Sequence, residues 1–174
     1  MSVLGELQPN KVFKYFEEIC SIPHGSRNLQ QISDYLVDFA KAHELKYRQD
    51  EDLNVIIWKD GSKGYEASEP VILQGHMDMV AVKEADCDKD MEKEGLDLEI
   101  NGDYISAKGT SLGGDDGIAV AYTLAVLDDE EMAHPPIEAI FTVNEEIGML
   151  GAATIDVSDL KGRLFMNMDC EDEG

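Results

Sequence analysis

Four short polar clusters, each flanked by apolar sequence, carry residue types suited to acid–base and metal chemistry. Gly75-His76-Met77-Asp78 sets an imidazole and a carboxylate two positions apart. In an extended segment, positions i and i+2 project to one side, so both can face one cavity. A ligating histidine needs a carboxylate or carbonyl to fix its tautomer; a satisfied histidine at a strand end is the alternative. Gly113-Gly114-Asp115-Asp116-Gly117 sets two acids among glycines before an apolar run. The acids could simply cap a helix, whereas the glycines allow close backbone approach to something else. Asn144-Glu145-Glu146-Ile147-Gly148 follows another apolar run. On a regular strand its two glutamates point to opposite faces, so they serve one site only if the chain turns, which Gly148 permits. One could then be a ligand and the other a free base; a solvated strand–loop junction is the alternative. Asp169 follows LFMNM and opens an Asp-Cys-Glu-Asp-Glu run that ordinarily reads as a solvated loop.

These clusters fall at the ends of predicted strands or the start of a buried helix, where sites gather in open α/β sheets. Val12, Phe13, Phe16, Ile19 and Cys20 predict a helix over 9–20, with Pro9 in its first turn. Leu29, Ile32, Leu36 and Phe39 mark a second helix, with Lys41 and His43 near its end. LNVIIWK over 53–59 reads as a strand, 61–70 as a turn-rich loop, and 71–74 as a short buried strand ended by Gly75. Residues 85–95 are charged and lack an apolar period. A hairpin is expected over 98–105, turning on Asn101-Gly102 as type I′. DDGIAVAYTLAVL is apolar almost all round and predicts a buried helix against a sheet. Strands are expected over 137–143 and 164–168. The order of helices, strands, then alternating strand and helix argues an α/β fold.

The chain has 174 residues, with 14 basic and 37 acidic, for a net charge of −23. Nucleic-acid surfaces need clustered Lys and Arg, which are few and scattered here; an anionic membrane is disfavoured likewise. A membrane span needs ~20 apolar residues, and the most apolar stretch, 118–127, contains Thr123. The start lacks the basic region and apolar core of a secretory signal. Cys20, Cys87 and Cys170 are too few and too dispersed for a disulfide framework and read as reduced thiols, so a cytoplasmic location is expected. The length suits one domain.

Taken together, one histidine and several carboxylates at separate strand ends form a donor set that Zn²⁺ accepts, with Mn²⁺ and Co²⁺ as rivals. A bridging carboxylate would hold two ions ~3.5–4 Å apart. An unligated glutamate beside them could deprotonate a water whose pKa the metal lowers to ~7.

ILQGHMDMV, GTSLGGDDGIAVA, FTVNEEIGMLGA and the NMD before Cys170, in this order, resemble the dizinc metallopeptidases of the aminoacylase–carboxypeptidase superfamily. Within it the chain is most similar to the branch of aminoacyl-histidine, or cytosolic non-specific, dipeptidases; EICSIPHGSRN fits that branch as well. The wider superfamily tends to show Pro soon after His-x-Asp and Met-Lys-Gly-Gly after the bridging Asp. Met79-Val80-Ala81 and Asp116-Gly117 stand here instead. The resemblance covers essentially the whole chain and implies a mixed sheet flanked by helices. It implies that His76 and Asp169 ligate a first zinc, Asp115 bridges two, and Glu146 ligates the second. It makes Glu145 the general base, and Asp78 the residue that orients His76 in the catalytic pair. The family often has Asn at the position of Asp116, so that residue is given no metal role. Cys170 is expected to pack, and His24, His43 and His134 match no ligand position.

The resemblance also implies that residues 1–174 are the N-terminal part of a catalytic domain. The lid domain and a later histidine ligand are absent from these residues. Hydrolysis of dipeptides by a zinc-activated water is therefore expected of a longer parent. This chain alone is expected to be weak or inactive and, with uncovered sheet edges, to self-associate. An N-acyl amino acid amidohydrolase of the same superfamily and a non-catalytic metal-binding or structural fragment are the alternatives.

Overall fold

A computed structural model of the chain describes residues 2–170. The part of the acidic run at 171–173 lies outside them. The two amphipathic N-terminal segments form α1 (Asn10–Cys20) and α2 (Gln30–Ala42). α1 buries Val12, Tyr15, Phe16, Ile19 and Cys20, and α2 buries Ile32, Leu36, Val37, Phe39 and Ala40. These are single stripes at a helical period, which is why both segments need a sheet to pack against.

Five strands form that sheet: β1 (Lys46–Gln49), β2 (Val55–Lys59), β3 (Val71–His76), β6 (Ile137–Thr142) and β7 (Leu164–Asn167), in the spatial order β1-β2-β6-β3-β7. β1 pairs antiparallel with β2 and β2 antiparallel with β6, whereas β3 runs parallel to both β6 and β7. The sheet is therefore mixed and the fold α/β, as expected. β6 is buried at every position, which explains its apolar run apart from Glu138 and the terminal Thr142. The Glu138 carboxylate accepts the N–H groups of Lys161 and Gly162 at 2.9–3.0 Å, tying down the chain just before β7. Between β3 and β6 lie a separate hairpin, β4 (Leu98–Asn101) with β5 (Tyr104–Ala107), and α3 (Gly114–Leu127). α3 packs against α1 and β3. A short α4 (Leu150–Thr154) precedes β7.

Several expectations need correction. Gly75 does not end its strand: β3 continues through it to His76, paired with Phe141 and Thr142 of β6. The hairpin turns one residue later than expected. Asn101 pairs with Tyr104, and Gly102 leads the two-residue loop at φ +65°, the place a type II′ turn gives to glycine. β1 and α4 were not anticipated, because KYRQ is polar edge sequence and LGAAT is a single turn. β7 is a strand, but all four of its residues are exposed. Among the described residues no helix is long and apolar enough to cross a membrane.

Candidate metal centre

The parallel register of β3 with β6 and β7 brings three strand ends together. His76 closes β3 opposite Thr142, the last residue of β6, and β7 ends beside Gln74. Three of the four polar clusters identified in the sequence lie at these ends, and the fourth opens α3.

His76 is buried. Its Nδ1 lies 2.9 Å from the main-chain oxygen of Asp78 and 3.5 Å from Asp78 Oδ1. A proton on Nδ1 donated to these acceptors leaves Nε2 facing outward, 3.0 Å from Asp115 Oδ1 and 3.8 Å from Glu145 Oε2. A nitrogen lone pair and a carboxylate oxygen at 3.0 Å repel one another unless a proton or a cation lies between them. Without a metal, burial pulls the imidazole down. The hydrogen bond to Asp78, the charges of Asp116 and Asp78 and the hydrogen bond to Asp115 outweigh that and raise His76 to about 9.

Asp78 is also buried, and its two oxygens serve different elements. Oδ2 accepts the Ser26 hydroxyl at 2.7 Å, and Oδ1 accepts the Glu145 N–H at 2.9 Å. Burial pushes this carboxyl up, but the His76, Glu145 and Ser26 hydrogen bonds hold it below its usual range. One side chain thus aligns the imidazole and fixes the backbone of Glu145.

The two aspartates at the start of α3 diverge. Neither has helical dihedrals, and their shared peptide bond is cis. Asp115 is exposed and faces His76 Nε2. Asp116 turns inward, fully buried, and its Oδ2 accepts the His76 main-chain N–H at 3.1 Å. Burial is the main cause of its rise to about 7; the His76 charge and N–H oppose this, and the charges of Asp169 and Asp115 add to it. No side-chain capping bond forms at this helix start. Gly75 makes the inward turn possible. A Cβ there would lie 2.8 Å from Asp116 Oδ2 and 3.1 Å from Ala119 Cβ.

After β6 the chain turns sharply, as a shared site for the two glutamates requires. Asn144, Gly148 and Met149 have φ of +53°, +116° and +56°. The turn is closed by Gly148 and Met149 N–H groups on the Glu145 carbonyl, both at 2.9 Å. Buried Asn54 clamps its base, accepting the Val143 N–H at 3.1 Å and donating to the Gly151 carbonyl at 3.3 Å. Glu146 is half-buried, and burial raises its pKa. The His76 charge opposes that rise, and the charges of Asp115, Glu145 and Asp78 add to it.

His76, Asp115 and Glu146 each offer one donor atom, all within 4.8 Å of one another. One imidazole nitrogen and two carboxylate oxygens fit a divalent ion such as Zn²⁺, Mn²⁺ or Co²⁺. The structure brings Glu145 alongside but leaves it outside this trio. Asp169 is exposed and also outside it, although its charge reaches Asp116. Cys170 is exposed rather than packed. His24 bonds to the Ile22 carbonyl, His134 to that of Pro135, and His43 lies 3.5 Å from Asp128. Ser26 and Asn54 were not singled out from sequence. A serine in a turn and an asparagine before a strand carry no local signal, because their partners are 52 and 89 residues away.

No family model matches the chain. Over all 174 residues it is 40% identical to the cytosol non-specific dipeptidase of Escherichia coli (strain K12), of which it covers 36%. The crystal structure of aminoacylhistidine dipeptidase from Vibrio alginolyticus superposes with a TM-score of 0.94 at 40% identity, covering 98% of this chain and 35% of that one. A tripeptidase from Staphylococcus aureus shares the fold, with a TM-score of 0.77 at 23% identity over 95% of this chain and 44% of that one. The chain therefore spans about a third of the length of the two dipeptidases it matches end to end.

Proposed function

We propose that this chain is the metal-holding portion of a dipeptidase of the aminoacyl-histidine dipeptidase family. The observation that carries the reading is the convergence of His76, Asp115 and Glu146 from three separate chain segments. The end-to-end match to two proteins named as dipeptidases supports it. In this reading the three side chains hold a divalent cation. When bound, such an ion polarises a peptide carbonyl and acidifies a water.

The remaining work falls to the protein's own residues. Asp78 holds the His76 ring with Nε2 outward, which a metal ligand requires. The same carboxylate anchors the Glu145 N–H, so the glutamate is placed by the group that orients the ligand. Glu145 lies outside the ligating trio, which leaves its carboxylate to accept a proton from the attacking water and return it to the leaving amine. The family resemblance would divide the ligands between two zinc ions, His76 and Asp169 holding one and Glu146 the other, with Asp115 serving both; that finer assignment belongs to the same proposal.

Because the chain spans 36% of its curated relative, the activity is assigned to the whole protein that carries it. Residues 1–174 are read as the N-terminal part of its catalytic domain, weak or inactive alone. The likeness to a cytosol dipeptidase supports a cytoplasmic location. The test is hydrolysis of alanyl-histidine and alanyl-alanine by the whole protein. Activity is expected to vanish on chelation and return with Zn²⁺ or Mn²⁺, and to fall by about 10²–10⁴-fold in Glu145→Gln. Chelator-resistant hydrolysis, or an unaffected Glu145→Gln variant, would overturn the reading.

A further inference from the structure

Residues 24–28 lie between α1 and α2 and run alongside the chain just past β3. The Met79 N–H donates to the His24 carbonyl and the Ser26 N–H to the Met79 carbonyl, both at 3.2 Å, and Gly25 pairs with Met79 in a parallel bridge. A Cβ on Gly25 would lie 2.6 Å from Ala81 Cβ, so this approach needs a glycine. The Asn28 N–H on the Gly25 carbonyl at 2.8 Å closes the turn, with Arg27 inside it at φ +73°.

Two bonds run from this turn to the residues around Glu145. The Arg27 N–H donates to Asn144 Oδ1 at 2.8 Å, across 117 residues of sequence. The Ser26 hydroxyl donates to Asp78 Oδ2 at 2.7 Å, and Asp78 Oδ1 accepts the Glu145 N–H at 2.9 Å. Ser26 and Arg27 are chain neighbours, as are Asn144 and Glu145, so these three bonds close a ring through Ser26, Asp78, Glu145, Asn144 and Arg27. Asn144 does two further things. Its φ of +53° is a conformation that asparagine tolerates better than most residues. Its carbonyl accepts the Leu150 N–H at 3.1 Å, which fastens the chain reversal from the other side. Glu145 is a member of the ring, whereas His76, Asp115 and Glu146 are not.

We propose that Asn144 is a positioning residue for Glu145: it locks the backbone of the general base onto the 24–28 turn and so fixes where that carboxylate stands beside the metal-holding trio. The proposal rests on the peptidase reading above. A general base must sit within one hydrogen bond of the water it deprotonates, and a misplacement of about 1 Å costs about 100-fold in rate. Glu145 is held at its own N–H and through the side chain of the residue before it, so its backbone cannot drift that far while the ring is closed.

The test compares the whole protein with its Asn144→Gly variant, which keeps the backbone conformation and removes the acceptor. With alanyl-histidine, kcat is expected to fall about 10–100-fold at unchanged KM, while zinc affinity measured by chelator competition holds. In the metal-free protein, hydrogen exchange followed by mass spectrometry should speed up in peptides spanning 24–28 and 143–149. Asn144→Asp returns an acceptor and should recover most of both losses. Ser26→Ala opens the same ring at another bond and should give the same pattern, and combined with Asn144→Gly it should cost less than the product of the two single losses. An unchanged kcat in Asn144→Gly, a loss that falls on KM or on zinc affinity, no recovery in Asn144→Asp, or fully multiplicative losses in the double variant overturns the positioning role and leaves the peptidase reading standing. A wild-type protein without metal-dependent hydrolysis overturns that reading and the positioning role with it.

Discussion

Replacing Gly75 by alanine adds one methyl group at the closest approach between β3 and α3, and the structure sets the sign of the effect. In an ordinary strand this change gains about 0.5–1 kcal/mol, because glycine loses more backbone freedom on folding. Here the new Cβ would lie 2.8 Å from Asp116 Oδ2, closer than such atoms pack, and 3.1 Å from Ala119 Cβ, tighter than most do. If the surroundings yield, overpacking costs about 1–3 kcal/mol. If Asp116 swings away instead, the buried His76 N–H loses its acceptor, at about 1–3 kcal/mol. Either route offsets the usual gain and gives a net loss of up to about 2.5 kcal/mol, with the His76 backbone disturbed in both. Urea unfolding of the metal-free chain should show the midpoint falling, by up to about 1 M. Because the clash is with one side chain, the double variant Gly75→Ala with Asp116→Ala should be less unstable than the sum of its parts. A Gly75→Ala variant as stable as wild type, or strictly additive costs, would refute this account of the close approach.

Three further outcomes follow from the same geometry. Asp78→Asn keeps an oxygen for His76 and the Glu145 N–H but loses the negative charge and the oxygen that accepts from Ser26, so metal affinity should drop about 10–100-fold by competition with a chelating dye; an unchanged affinity contradicts the orienting role. His76 in the metal-free chain is raised to about 9 from 6.5, so its proton stabilises the fold fully below 6.5, and that stability is lost as pH rises through about 9. Metal must displace this proton, so calorimetry at pH 7.5 in buffers of differing ionisation enthalpy should record release of about one proton or more, and zero release would contradict it. On β7, Leu164 and Phe165 are 60% exposed on an edge strand, so the 174-residue chain should self-associate, and Phe165→Lys should shift sedimentation toward monomer. A wild-type chain that sediments as a monomer at high concentration speaks against that.

Local spacing carried much of the site because its geometry is local. His76 and Asp78 are two apart at a strand end, and the Nδ1 contact follows from that spacing. The turn at Glu145-Glu146 was legible from Gly148, whose φ of +116° is one that glycine adopts freely. The split between Asp115 and Asp116 was not. Two acids before an apolar helix suit the helix dipole equally well, and only the packing of α3 on β3 sends one inward to the His76 N–H. The clamp by Asn54 and the anchor by Ser26 join residues far apart in sequence, where periodicity carries no information. The exposure of β7 was hidden for the opposite reason: LFMN has the composition of a covered strand, and its surroundings decide whether it is covered.

The claim that His76, Asp115 and Glu146 together hold a divalent ion is tested most directly by zinc titration with X-ray absorption at the zinc edge. The predicted result is stoichiometric binding with one imidazole nitrogen and oxygen donors, lost in Glu146→Gln while the fold persists by circular dichroism. Sulfur coordination from a cysteine, or binding of equal strength in Glu146→Gln, would contradict it.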